Sequence, residues 1–132
     1  MSDSPTELGL VRAEDCVSST AQSPGMNRRA GISASTVGSS QLFMGSTTMA
    51  PHTTSGAHHH GISETAIYVV AGTPTFVFLR DGEEVRLRTR PGDYVYVPPF
   101  VPHIEDNDGD TEAVVVLART TQEAIVENLP HL

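Results

Sequence analysis

The sequence predicts an all-β, single-domain protein, and three observations carry that reading. The chain has 132 residues, one ordinary domain with room for a single closed core. From residue 41 onward, short apolar or alternating runs are separated by turn signals at roughly even spacing, the pattern of a sandwich or barrel. Hydrophobic residues make up 38% of the chain and Trp is absent, which favours a modest core of Val, Ile, Leu and Phe over a large helical one.

Residues 1–25 are polar, rich in Ser, Thr and Pro, and read as a partly flexible N-terminal arm with one short strand over residues 8–11. Residues 26–132 form the barrel domain. Its first part, residues 26–40, is Gly- and Ser-rich and reads as loop with short extended pieces. Strands follow over QLFMGSTTMA, the β-branched run TAIYVV, and TPTFVFLR, which closes at the Asp81-Gly82 turn signal. EEVRLRTR alternates, with Val85 and Leu87 on one side and Arg86, Arg88 and Arg90 on the other; this basic row reads as a solvated face. DYVYVP is a strand stopped by Pro98-Pro99, and EAVVVLAR is a buried one. TTQEAIVENL forms a short helix or a last strand. The acidic residues Glu105, Asp106, Asp108 and Asp110 read as a solvated turn, because they lack the glycine and terminal glutamate of a calcium loop.

Composition excludes several kinds of chemistry. Sixteen acidic residues against eight basic ones give a net charge of −8 with no basic stripe, which argues against a nucleic-acid partner. All eight basic residues are Arg, so a lysine base or Schiff base is excluded. Cys16 is the single cysteine, which leaves no internal disulfide and no zinc-finger pattern. No apolar run approaches the length of a membrane span, and the N-terminus has no signal-like apolar stretch, so the expectation is a cytoplasmic protein with no membrane partner.

Residues 51–72, PHTTSGAHHHGISETAIYVVAG, hold four of the six histidines. His58 and His60 are two apart, so on a strand both rings share one face, with Glu64 close behind. Two imidazoles and a carboxylate suit a divalent metal. A third imidazole is available at His103, which follows the stiff Pro-rich stretch after DYVYV. His59 points away from its neighbours and reads as a substrate-side proton carrier; His52 and His131 read as surface residues.

Two motifs of the cupin superfamily can be laid on these residues. The first is G, five residues, HxH, three or four residues, E, six residues, G; it lies on residues 52–72, with His58 and His60 in the HxH places. The second is G, five residues, PxG, two residues, H, three residues, N; it runs from Gly92 through Pro98 and His103 to Asn107. The chain therefore resembles a small single-domain cupin. The resemblance implies a double-stranded β-helix, or jelly-roll, barrel and a homodimer. It also implies one divalent transition metal per chain, held by His58, His60, Glu64 and His103. His52 and Phe100 replace motif glycines at turns, and Phe100 is placed to narrow the barrel mouth. The two spacing rules of the first motif disagree by one residue: counting from His60 reaches Glu64, counting back from Gly72 reaches Thr65. A one-residue shift reverses the facing on an unbroken strand. Either a bulge or the Gly61 turn swings Glu64 inward, or the ligands are three histidines with Thr65 as a hydrogen bonder. A carboxylate ligand suits Fe(II) or Mn(II); three histidines alone suit Zn(II), Cu(II), Ni(II) or Fe(II).

The function expected is a metal-dependent enzyme acting on a small oxygenated or carboxylate-bearing molecule, with dioxygenation ahead of isomerisation or a lyase step. His59 and Glu64 are the candidate catalytic proton carriers, Glu64 only if it is not a ligand. Thr65, Tyr94, Tyr96, Phe100 and Arg28 are candidate substrate-binding residues, Arg28 because a guanidinium grips a carboxylate bidentately. The alternative is a non-catalytic small-molecule-binding or sensing barrel, since fold alone does not give function.

Overall fold

The computed structural model describes residues 4–18 and 25–132. Among them the strands are, in chain order, β1 (Val17–Ser18), β2 (Met26–Ile32), β3 (Phe43–Met49), β4 (Thr53–Thr54), β5 (His58–His59), β6 (Thr65–Ala71), β7 (Thr75–Arg80), β8 (Glu83–Arg88), β9 (Tyr94–Val97), β10 (Ile104–Asn107), β11 (Ala113–Arg119) and β12 (Glu127–Asn128). One short helix, α1 (Ala34–Val37), separates β2 from β3. A six-stranded sheet has the order β1-β2-β3-β11-β6-β9, a four-stranded sheet β4-β10-β7-β8, and β12 pairs with β5. Every pairing is antiparallel, and the crossovers between non-consecutive strands build a jelly roll. Among the described residues no helix is long and apolar enough to cross a membrane.

Period-2 patterning places the core. Along β6, Thr65, Ile67 and Val69 are buried while Ala66, Tyr68 and Val70 are exposed. Ile67 and Val69 join Phe76, Val97 and Val115 in one cluster, and Met26, Met49 and Ala113 form a second. On β9, Val95 and Val97 turn inward and Tyr94 and Tyr96 outward. Asp81 and Gly82 both take positive φ, 52° and 81°, as a tight hairpin between β7 and β8 requires. Gly72 is needed for space: a Cβ there would lie 2.7 Å from the backbone of Ala113 and Glu112.

Three expectations are corrected. Residues 26–40 are not mainly loop with short extended pieces: over residues 26–32, β2 pairs along the length of β3, so non-local hydrogen bonding overrides the loop-like composition of MNRRAGI. A capping box between Ser33 and Thr36 then starts α1, and Gly38 at φ 74° ends it. In the N-terminal arm, residues 8–11 form no strand; the pairing comes later, where β1 lies antiparallel to β2. The arm's residues 1–3 and 19–24 lie outside the described residues. The acidic stretch is not one turn: Ile104–Asn107 is a strand held between β4 and β7. Near the C-terminus the strand reading holds, as β12. His52 and Phe100, standing where the motifs have glycine, both keep left-handed φ, 56° and 64°. The turns are preserved at a cost of about 1–2 kcal/mol per residue.

The two faces of β6 give a direct test. Val69 is fully buried and Val70 is 46% exposed. Val69→Ala is expected to cost about 2 kcal/mol or more in a urea melt, from the lost methyl groups and the cavity left behind. Val70→Ala is expected to stay within about 0.5 kcal/mol of the parent.

Candidate metal centre

His58 and His103 are tied backbone to backbone. The His58 N–H donates to the His103 carbonyl at 3.0 Å, and the His103 N–H returns a bond to the His58 carbonyl at 2.9 Å. This isolated antiparallel bridge joins the two motif segments at their ligand positions. Their rings lie side by side, centroids 4.4 Å apart, and the His60 ring completes a triangle at 4.9 and 5.0 Å from them. The fourth member is Glu105, two residues after His103 on β10. Its backbone is fixed by reciprocal bonds with Ser55: the Glu105 N–H donates to Ser55 Oγ, and the Ser55 N–H donates to the Glu105 carbonyl, both at 2.9 Å. One ligand-type atom from each of His58, His60, His103 and Glu105 lies within 4.8 Å of the other three.

The hydrogen bonds set the tautomers. Each ring places Nδ1 against a backbone carbonyl: His58 on Gly56 at 3.0 Å, His60 on Ile125 at 2.9 Å and His103 on Val101 at 3.0 Å. A carbonyl can only accept, so each ring donates from Nδ1, and Nε2 of the neutral imidazole is left with its lone pair. His103 Nε2 is buried and has no hydrogen-bond partner. An orphaned buried acceptor costs free energy unless something binds it. The three Nε2 atoms, His103's among them without a partner, and the Glu105 carboxylate are a fitting donor set for a divalent transition metal. Ligands about 2.1 Å from one ion lie at most about 4.2 Å apart, so a small inward movement of the side chains closes the group.

The electrostatics agree. Burial lowers the His60 pKa to about 4, because a cationic ring is poorly solvated there. Burial likewise lowers that of His103. Burial also pulls on His58, but Glu105, whose Oε2 is 3.6 Å from His58 Nε2, together with the Gly56 carbonyl outweighs it and the net shift is upward. Glu105 is pushed up by burial, yet the three facing imidazoles bring it below the usual carboxylate value.

The group opens into a cavity of about 630 Å³ between the two larger sheets. His58, His60 and Glu105 line it, as do Thr65 and Arg28 from the substrate-binding expectation. The other expected residues lie elsewhere. Glu64 is not in the metal group. The uninterrupted pairing of Thr65–Tyr68 with β9 leaves no bulge to turn it, so Thr65 faces in and exposed Glu64 faces out. There Glu64 accepts a 2.6 Å hydrogen bond from Tyr96, which holds the phenol's pKa above its ordinary value. Tyr94 and Tyr96 are on the outer sheet surface, and Tyr94 packs on Tyr68 with centroids 4.9 Å apart. Phe100 is exposed and faces His59 across 5.9 Å. His59 points away from the cavity, and its Nδ1 accepts the Gly61 N–H at 3.0 Å.

Glu105 is the carboxylate that the sequence reading missed. The usable signal was its two-residue spacing from His103, the same same-face spacing that singled out His58 and His60. Reading the acidic stretch as a turn hid it.

The pKa directions set the acid behaviour of the metal-free protein. His60 and His103 titrate lower when folded than unfolded, so between about pH 6.5 and pH 4 the unfolded chain binds more protons and stability falls as pH falls. Depressed Glu105 adds a loss at still lower pH, while raised His58 works the other way. Metal-stripped protein is therefore expected to melt at lower temperature at pH 5 than at pH 7 by calorimetry.

A model described as the cupin domain matches residues 45–119. A search of curated proteins finds no match. Among solved structures, oxalate oxidase in complex with the substrate analogue glycolate is similar with TM-score 0.70 and 19% identity, covering 86% of this chain and 60% of that one. Oxalate decarboxylase from Bacillus subtilis gives TM-score 0.70 and 22% identity over 82% of this chain and 28% of its own. Peruvianin-I, titled a cysteine peptidase from Thevetia peruviana latex, gives 0.70 and 17% over 82% and 69%. This chain thus spans less than two thirds of the oxalate oxidase and under a third of the decarboxylase. At these identities the likeness is one of fold, and the differing titles show that fold leaves activity open. The family model covers more than half of the chain and includes both histidine segments, and the chain belongs to the cupin family.

Proposed function

We propose that this cupin is a metal-dependent enzyme acting on a small carboxylate-bearing molecule, with His58, His60, His103 and Glu105 holding one divalent ion. The observation that carries the proposal is the convergence of three Nδ1-anchored imidazoles and a carboxylate at the wall of a cavity that also contains Arg28. Three nitrogens and one oxygen suit Mn(II) or Fe(II) ahead of Zn(II), Ni(II) or Cu(II). Such an ion supplies Lewis-acid chemistry and, when redox-active, electron transfer. Oxidation of the dioxygenase kind is the first reaction class to try, with isomerase and lyase chemistry open to the same ligand set.

The remaining roles belong to the chain's own residues. Arg28 lines the same cavity as His58, His60 and Glu105, so a carboxylate paired with Arg28 lies in the space the metal group faces. Thr65 offers a hydroxyl at the inner wall. Ile67, Phe76, Val115 and Leu117 make neighbouring wall apolar, which excludes water and fits an acid with an apolar body. The solved structures titled oxalate oxidase, with glycolate, and oxalate decarboxylase, with Mn(II) centres, support small carboxylates and manganese as the first compounds to try. A homodimer is proposed with it, supported by the exposed Met44, Tyr68, Tyr94 and Tyr96 on the outer face of the six-stranded sheet.

One observation favours a non-catalytic binding role instead: both expected proton carriers, His59 and Glu64, face away from the cavity. Turnover distinguishes the two readings. Oxygen uptake or product formation from a panel of small carboxylic acids, absent in metal-stripped protein and restored by Mn(II) or Fe(II), supports the enzyme. Tight acid binding without turnover under any metal sinks it.

Two sets of substitutions test the site. Glu105→Gln and His103→Ala are expected to lower Mn(II) affinity by about tenfold or more, read by metal analysis after dialysis, while Glu64→Gln leaves it unchanged. Arg28→Ala is expected to leave metal content intact and weaken binding of oxalate or benzoate by about tenfold to a hundredfold, the range for a charge-assisted hydrogen bond.

A further inference from the structure

The three Nδ1 anchors are not equivalent. His58 and His103 are each held by a carbonyl two residues before them, Gly56 and Val101. His60 is held by Ile125, 65 residues away. We propose that residues 121–129 are a positioning element of the metal centre, so that metal occupancy and docking of this segment over the cavity are coupled. The proposal rests on the metal reading above and goes further, by assigning a role to a stretch that neither motif contains.

The segment runs along the ligand strand itself. Glu127 pairs with His59 and Asn128 with His58, and the Leu129 N–H donates to the Ala57 carbonyl at 3.0 Å. The Ile125 side chain rests on Gly61, where a Cβ would lie 2.9 Å from Ile125 Cγ2. Gly61 therefore lets the segment come close enough for its carbonyl to reach His60. At the other end Gln122 is a latch: its Oε1 accepts the Ala34 N–H at 2.7 Å, and its Nε2 donates to Ser39 Oγ at 3.2 Å and the Leu42 carbonyl at 2.9 Å. Arg119 adds bonds to the Thr121 and Gln122 carbonyls, both at 2.9 Å. Between these ends the segment is lightly held. β12 has two residues, both exposed, and Val126 is 47% exposed. Short, exposed pairing of this kind opens locally at low free-energy cost.

Opening removes the acceptor that fixes the His60 tautomer and, with it, the wall formed by Ala124, Ile125, Val126 and Asn128. A metal that needs His60 Nε2 binds the docked state better, and by linkage it favours docking to the same degree.

The test uses the full chain and Mn(II). Amide hydrogen exchange at Leu129 is expected to slow by about tenfold or more when Mn(II) is bound, with less change in the β7–β8 hairpin. Gln122→Ala, whose fold is checked by circular dichroism, is expected to bind Mn(II) about tenfold more weakly, the lower end for partners that orient a ligand. If wild type binds Mn(II) and His103→Ala does not, yet Leu129 exchange is unchanged, or slows only as much as β7–β8, and Gln122→Ala binds normally, the coupling is overturned and the metal reading survives. If wild type binds no Mn(II), Fe(II) or Zn(II), both fall together.

Discussion

The pair of reciprocal backbone hydrogen bonds between His58 and His103 is the joint around which the site is built. It brings together two segments 45 positions apart in numbering and fixes their facing without using a side-chain atom. Once the joint is made, pleating decides the rest. Glu105, two residues beyond His103, falls on the same face, and the turn from His59 to Ser63, closed by the Ser63 N–H on the His60 carbonyl at 3.1 Å, brings His60 alongside. The rings then have little freedom, because their Nδ1 atoms are spoken for and their Nε2 atoms share one small volume.

That arrangement carries a stability cost. Three imidazoles and a carboxylate are placed in partial or full burial, and at least one nitrogen, His103 Nε2, has no partner. The protein keeps the group tolerable by neutralising it. Burial disfavours the cations of His60 and His103, and the Glu105 carboxylate is set against His58, whose pKa it helps to raise. A core built for stability alone would place apolar side chains here, as the neighbouring cluster of Ile67, Val69, Phe76, Val97 and Val115 does. The group is conspicuous because it departs from that rule within a few ångströms of residues that follow it.

Much of this was legible in the sequence, for identifiable reasons. β6, β7, β9 and β11 carry their strand character locally, in β-branched or alternating residues, and TAIYVV even announces its inward face. The HxH spacing and the proline-stiffened His103 pointed to the same three imidazoles that the fold brings together. β2 and β10 were illegible because their strand character is borrowed: MNRRAGI and IEDN are held by pairing with β3, β4 and β7, partners far away in sequence. The error over β10 had the larger consequence, since it cost the carboxylate. Register settled the other ambiguity. Thr65 opposite Val97 and Ile67 opposite Val95 extend one inward row, and a side chain one residue earlier has to point out.

The tail was illegible for a different reason. TTQEAIVENL has neither a clean helical nor a clean strand period, and its structure comes from what it lies on: the His58–His59 strand, Gly61 and the Ser39–Leu42 turn. Such a segment has little reason to hold its shape alone, and it supplies the carbonyl that orients a buried imidazole. Two ligands of the proposed centre are therefore oriented by their own local chain, and the third by a contact from a segment 65 residues away. In a centre of that design the cavity wall and the third imidazole are gained or lost together. On this proposal the chemistry available at the site depends on the docking of residues 121–129 as well as on the histidines themselves.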